Sequence, residues 1–259
     1  MKNFKLKITS GIGDCITIRS QLLPLIKAGT QISISIDRSI IEKYRPDDKI
    51  EYYNFTYNFL KEIFSEENCK VTHDQSYPFM TSLKLFSLGY HPRIINLQNA
   101  LCNPINPCNY SYIAISTKVR DLTRNIFDQK KADIFKKINE SENKIIILGE
   151  KEIIESKEYK IHGSNKIYSI YHDILNLISK EKIVDMTIDK IVTPNIDLIK
   201  KDCTLMKFAN DNFIFGIGGN LSLCRSVGPT RCYIHDCGPF TPFIKDFEQG
   251  NHLTKFIRI

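Results

Sequence analysis

FKLKITSGIGDCITIRSQLLPLIKAGTQISISI, residues 4–36, decides the fold. Phe4 to Ile8 is a short apolar segment with strand character. Gly11-Ile12-Gly13-Asp14 then turns the chain. From Ile16 to Ala28 the apolar positions Ile16, Ile18, Leu22, Leu23, Leu25 and Ile26 follow a helical spacing. Gly29 is placed to end that helix. Gln31 to Ile36 alternates polar and apolar, the period of a half-buried strand. Strand, glycine turn, helix, strand is one βαβ unit, which calls for a parallel sheet.

The rhythm continues outward. Ile50 to Phe64 is aromatic-rich and reads as a strand running into a helix. Cys69 to Thr72 reads as a strand, Met80 to Leu88 as a helix stopped by Gly89 and Pro92, and Ile94 to Leu97 as a strand. Asn103-Pro104-Ile105-Asn106-Pro107 is no regular element, because two prolines break it. The boundary between two domains, 1–108 and 109–259, is placed there. The second half restarts with strand Tyr112–Ser116, helix Asp128–Ile138 and the buried strand Lys144–Leu148. A helix over 150–156, a helix Ser169–Ser179, a strand Ile183–Thr187 and a helix Asp197–Ala209 are expected next. Strand Phe213–Phe215, helix Leu221–Val227 and strand Arg231–Ile234 follow. Alternating strands and helices predict an α/β fold: two Rossmann-like domains facing a cleft, with ligand loops along the carboxyl edge of each sheet.

Bulk properties narrow the function. The 259 residues suffice for two small domains. Hydrophobic residues at 42% and charged residues at 25% are those of an ordinary globular protein. The net charge of +7 suits an anionic ligand such as a nucleotide diphosphate, but lysine drift in an AT-rich genome is the weightier explanation. The charge is scattered, so no nucleic-acid partner is expected. No apolar run approaches a membrane span. The opening MKNFKLKITSGIGD reads as a strand and turn rather than a signal peptide. The eight cysteines form no CxxC, and the six histidines have no ligand spacing. A cytoplasmic protein with reduced thiols and no metal is therefore expected.

Four places carry residues suited to chemistry. Asp14, in the turn with Gly13, either caps or complements the following helix or supplies a carboxylate that takes a proton from an attacking hydroxyl. Ser116-Thr117-Lys118-Val119-Arg120 follows a strand and puts two cations and two hydroxyls where a diphosphate would sit, unless it is a solvated loop. Gly149-Glu150 ends the most hydrophobic strand and offers a carboxylate to ribose hydroxyls, or is a surface turn. Gly216-Ile217-Gly218-Gly219-Asn220-Leu221-Ser222 aims backbone N–H groups at an anion, or is a tight turn requiring positive φ. No G-x-S-x-G and no G-x-x-x-x-G-K-[ST] occurs, which excludes a hydrolase elbow and a Walker loop.

In this order the four places resemble glycosyltransferase family 9, the heptosyltransferase-like enzymes of GT-B fold. GDCITIRSQLLPLIKAG is similar to that family's acceptor-side loop and helix, and KIIILGEKE to a strand ending in a glycine. CTLMKFANDNFIFGIGGNLSLCRSVGPTRCYI, residues 203–234, carries the fullest match through Leu205, Ala209, Gly216, Gly228, Pro229 and Thr230. The sequence departs from the family in the glycine loop. Gly218-Gly219-Asn220 replaces an acidic residue, and Leu223 or Cys224 stands where a His is usual. The resemblance implies a metal-independent transferase with no cofactor beyond its nucleotide-sugar donor. Asp14 is then the base, Lys118 and Arg120 neutralise the diphosphate, and Glu150 lies near the nucleoside. The backbone from Gly218 to Ser222 holds phosphate. The acceptor is a glycan or a glycolipid, which leaves peripheral membrane contact open. The resemblance also implies that the tail, Asp246 to Ile259, packs back onto the first half. Two alternatives stand beside it: another nucleotide-sugar enzyme such as an epimerase, and a non-catalytic binding or structural protein on the same scaffold.

Overall fold

The period-2 pattern of residues 31–36 is realised as a buried central strand. A computed structural model describes residues 3–8, 11–44, 47–152, 167–189, 193–215, 219–228, 231–234 and 255–258. In it β1 (Asn3–Ile8) runs parallel to β2 (Gln31–Ile36), with Leu6 opposite Ile34 and Ile8 opposite Ile36. The connecting helix α1 (Ile12–Lys27) ends at Gly29, whose φ of +73° only glycine adopts freely. β3 (Cys69–Thr72) adds to the other side of β2, giving the parallel order β1-β2-β3.

Helix period overrides strand propensity in the aromatic stretch. Residues 49–63 form one helix, α3 (Lys49–Ile63), with no strand before it; α2 (Arg38–Tyr44) precedes it. Tyr53, Thr56, Phe59, Leu60 and Ile63 recur on one buried face at spacings of three and four. α1 starts at Ile12 rather than Ile16, so Gly13 and Asp14 lie in its first turn. The short helix α4 (Ser82–Ser87) follows, capped by Thr81, whose hydroxyl accepts from the Lys84 N–H at 3.1 Å. Residues 94–97 are not a strand. They lead into α5 (Gln98–Leu101), and the Leu97 N–H donates to the Ser226 carbonyl in the second half.

The second sheet is built around β4 (Tyr112–Arg120). Its other strands are β5 (Lys144–Leu148), β6 (Ile167–Ser169), β7 (Ile183–Asp185), β8 (Asp211–Phe215), β9 (Arg231–Ile234) and β10 (Lys255–Arg258). Their order is β10-β9-β8-β4-β5-β7, all parallel, while β6 pairs antiparallel with the far end of β4. Alternation assigns the two faces. Ile113, Ile115, Ile145, Ile147, Phe213 and Phe215 face α6 (Asp121–Glu140) and α7 (Tyr171–Leu177) in one apolar cluster. Tyr112, Ala114, Ile146, Leu148 and Ile214 belong to the other cluster, with α8 (Ile196–Phe208) and α9 (Gly219–Val227). That second cluster runs on without a break into Leu6, Ile8, Ile34 and Phe59 of the first half. The halves therefore share one core where α1 meets α9 and α3 meets α8.

Several element ends differ from the sequence reading. β4 does not stop at Ser116: the antiparallel partner β6 extends it to Arg120. α6 is longer than anticipated and α7 shorter. Glu150 makes a bridge to Ile188 and starts no helix at 150–152; residues 153–166 lie outside the described residues. The tail was expected against the first half, yet residues 255–258 extend the second sheet beside β9, because an open parallel edge offers them a full hydrogen-bond ladder. Residues 246–254 of that tail lie outside the described residues.

One charged group is pinned in the first core. Arg19 of α1 is 6% exposed. Its Nε donates to the Ile63 carbonyl at 2.7 Å, its Nη2 pairs with Glu66, and its guanidinium lies over the Phe64 ring. Burial pulls its pKa below the ordinary value, and the Glu66 charge opposes that. Glu66→Ala leaves this cation without its counter-charge. It is expected to cost about 2 kcal/mol of stability, read as a lowered urea midpoint at unchanged m-value.

Candidate functional site

The point where the strand order reverses is β4, with β5 added on one side and β8 on the other. In open parallel sheets the crevice beyond the carboxyl ends at such a point is where ligands bind. Three of the four sequence-derived places converge there. Thr117 and Lys118 lie on the part of β4 that outruns β5, Gly149 and Glu150 follow β5, and α9 follows β8.

Thr117 is fully buried and interlocks two of these segments. Its hydroxyl donates to the Glu150 carbonyl at 2.9 Å and accepts from the Glu150 N–H at 3.2 Å. The Ser169 hydroxyl donates to the same carbonyl at 2.9 Å. The Thr117 hydroxyl is thus engaged with the Glu150 backbone. Gly149 has φ +101°, and a Cβ there would stand 2.6 Å from the Thr117 hydroxyl oxygen. Glycine is required here for close approach as well as for backbone conformation.

Lys118 Nζ lies 3.0 Å from Glu150 Oε1, with the two side chains 38% and 10% exposed. Both groups reach the site, but they hold each other. Asn220, in the first turn of α9, donates to the Ser116 hydroxyl at 2.6 Å and ties that helix start to β4. Gly219 opens α9. Gly218 lies outside the described residues, as does the side chain of Arg120, whose backbone ends β4.

The remaining predicted residues sit elsewhere. Asp14 is exposed in the first turn of α1, where the Ser82 hydroxyl approaches its Oδ1 at 3.4 Å. The N-cap of α1 is Gly11, with no side-chain cap bond, so Asp14 complements the helix dipole and does not cap it. The Gly13 carbonyl accepts from the Thr17 hydroxyl at 2.9 Å. Ser222 does not face Lys118. It lines a crevice between α1 and α9, together with Ile16 and Ile95.

Two acids were not singled out in the sequence. Asp202 on α8 is pushed up to about 6 by burial, against the opposing charges of Lys201 and Lys118, with Glu150 adding to the rise. It therefore lies within electrostatic reach of the Lys118–Glu150 pair. Its trace in the sequence is its helical spacing from Ile199, Cys203 and Met206, which α8 buries, while Asp202 itself is half-buried. Asp185 ends β7 and accepts from the Tyr171 hydroxyl at 2.6 Å. Burial raises its pKa, but hydrogen bonds from Thr187 and Tyr171 outweigh that and leave it below the ordinary carboxylate value. Among the described residues no group of three or more His, Cys, Asp or Glu is arranged to hold a metal, and no helix is long and apolar enough to cross a membrane.

No protein-family model and no curated protein matches the chain. Among solved structures it is similar to the iron-containing dodecameric glycosyltransferase TibC from enterotoxigenic E. coli H10407. The TM-score is 0.43 at 10% identity, and the match covers 91% of this chain and 58% of that one. It is similar to the same degree, with TM-score 0.43 and 10% identity, to heptosyltransferase TibC in complex with ADP-D-β-D-heptose, over 91% of this chain and 59% of that one. The chain thus spans less than two thirds of the length of the structures it matches.

Two outcomes follow from the interlock and from Asp202. Gly149→Ala should destabilise the chain by about 2–3 kcal/mol in urea, because the positive φ and the Thr117 clash add. Asp202 has a folded pKa above its unfolded value, so its penalty is absent below about pH 4 and grows as pH rises through about 6. Stability of the wild type minus that of Asp202→Asn should fall by roughly 2 kcal/mol between pH 4 and pH 7.5, followed by urea unfolding.

Proposed function

We propose that the chain is a glycosyltransferase of GT-B-like arrangement that moves a sugar from a nucleotide-sugar donor to a hydroxyl of a glycan or lipid-linked sugar. In this reading residues 1–108 form the acceptor side and 109–259 the donor side. The observation that carries it is Lys118 at the reversal point of a parallel sheet, beside the start of α9. A cation and a helix N-terminus at one carboxyl edge are what a departing diphosphate needs.

The steps use this chain's own groups. Lys118, itself 38% exposed, leaves Glu150 for the diphosphate, since two phosphate charges outbid one carboxylate. Glu150, freed, accepts a hydroxyl of the nucleoside. The backbone N–H groups at the start of α9 take the second phosphate. Asp14 removes the proton from the acceptor hydroxyl as the new glycosidic bond forms at the anomeric carbon and the bond to the diphosphate oxygen breaks. The leaving group's charge is met by Lys118 and α9, so the reaction runs without a metal in the cytoplasm.

A second reading, a binding protein on the same scaffold, is favoured by one observation: Lys118 and Glu150 satisfy each other. A thermal-shift series with nucleoside diphosphates and nucleotide sugars separates the two from transfer. One nucleotide at 100 times its Kd should add about 2.7 kcal/mol to the wild type and far less to Lys118→Ala. Turnover of the matching nucleotide sugar, lost in Asp14→Asn while nucleotide binding stays, would mark an enzyme. Stabilisation without turnover would mark a binding protein, and no stabilisation by any nucleotide would overturn both donor-site readings.

A further inference from the structure

The segment around α4 takes no part in the steps above, although it closes the open edge of the first sheet. The Met80 N–H donates to the Lys7 carbonyl and the Lys7 N–H to the Pro78 carbonyl, both at 2.8 Å, so residues 78–80 run beside β1. Ser82 and Leu85 turn inward from α4 and are buried. The Gln21 side-chain amide of α1 donates to the Ser82 and Tyr90 carbonyls, each at 2.9 Å, and holds both ends of the segment down. The outward side chains are apolar. Leu83 is 62% exposed, Leu88 56% and Phe79 36%, all within ten residues of chain. Single exposed apolar residues are ordinary, but a cluster of them marks a surface that meets something.

The same surface is cationic and almost free of acids. No Asp or Glu occurs from Gln75 to Arg93, and β1 and α1, on which the segment packs, carry Asp14 as their single carboxylate. Lys84 is exposed, and its Nζ reaches back to the Phe79 carbonyl at 3.4 Å. Lys5 is exposed on β1, with its Nζ 5.8 Å from the centre of the Tyr77 ring. Neither lysine makes an ion pair with a described residue.

Leu and Phe beside Lys is the pairing that seats a surface segment at the headgroup boundary of an anionic bilayer. Protein interfaces, in contrast, are depleted in Lys and anchored by Arg, Tyr and Trp. A second copy of the chain is disfavoured by like charge, +7 on each. We propose that this face is a docking surface for a membrane that contains anionic lipids. Phe79, Leu83 and Leu88 enter the headgroup boundary, and Lys5 and Lys84 meet lipid phosphates. The Ser82 hydroxyl lies 3.4 Å from Asp14 Oδ1, so docking holds the carboxyl edge of the first sheet beside the membrane. The docking surface does not rest on the transferase reading; only a use of Asp14 there does.

The test is co-sedimentation of the full chain with vesicles of phosphatidylcholine, alone or with about one third phosphatidylglycerol, at physiological ionic strength. The wild type should bind the anionic vesicles and bind phosphatidylcholine at least about tenfold more weakly. Leu83→Ser combined with Leu88→Ser should weaken anionic-vesicle binding by about tenfold or more, and Lys84→Glu by about tenfold. These side chains are exposed, so the variants should keep the wild-type Tm. Lys180→Glu makes the same charge change on an exposed residue just before β7, at the amino edge of the second sheet, and should leave binding unchanged. No binding to anionic vesicles overturns the proposal, as does unchanged binding in the paired Leu variant. Equal losses in Lys84→Glu and Lys180→Glu would show attraction by net charge alone and also overturn it. Tighter binding to soluble polyglutamate than to anionic vesicles would give the face to an acidic protein instead. The nucleotide shift of the donor site is read separately on the same variants, so a failure of docking and a failure of the transferase reading stay distinct.

Discussion

Everything in the second half leans on the pleat of β4. Its side chains alternate between two apolar layers, Ile113 and Ile115 on one side and Tyr112 and Ala114 on the other. A strand buried on both faces has no solvent side to lose, so its register is set by both layers at once. The layer under Tyr112 is shared with the first half, whose own strand β2 buries Ile32, Ile34 and Ile36. The Tyr112 hydroxyl closes the arrangement by donating to the Leu205 carbonyl at 2.9 Å, tying β4 to α8. Past Ser116 the same strand leaves β5 behind and takes β6 as a partner. That overrun is what lifts Lys118 beyond the sheet edge, where a charge can meet a ligand. Core and site are therefore consecutive stretches of one strand.

The electrostatics of the site follow from limited burial. Lys118 and Glu150 are close, but Lys118 keeps contact with water, so their attraction is screened and cheap to exchange. Asp202, half-buried on α8, is held back from ionisation by burial. A dianion entering the site would replace one carboxylate by stronger acceptors on Lys118 and draw on the partial positive charge of α9. The interlock of Thr117 with the Glu150 backbone keeps the edge in place during that exchange, because it involves no charged atom.

The parallel sheets and their connecting helices were legible in the residues, since 31–36 alternates and 144–148 is an unbroken apolar run. The helix stop at Gly29 was legible too, and its φ is positive as that position implies. What failed was propensity without period. The aromatics of 50–64 favour strands one by one, yet their spacing buries them on one face of a helix. The extension of β4 was hidden because its partner β6 is only three residues long and far away in sequence. The site was legible as places and not as pairings. Lys118 and Glu150 could be named, but their ion pair is a long-range fact.

The shared core also limits how the two halves move. A hinge needs halves joined only by linkers, whereas here α1 lies on α9 and Glu62 of α3 meets Lys200 of α8 at 3.1 Å. The Asp48 carboxylate accepts from the Thr193 hydroxyl, adding a third tie between α3 and the loop after β7. Opening these contacts would expose apolar surface at roughly 25 cal/mol per Å², which makes wide separation costly. Sliding is cheaper. Where α1 meets α9 the facing side chains include Thr17, Ser20, Ser222 and Ser226, small enough to pass one another without emptying the core. Shear along α1 and α9 would therefore cost less than opening the halves about a hinge. A shear of that kind would move Asp14, carried by α1, relative to the start of α9 and the anchored Asn220.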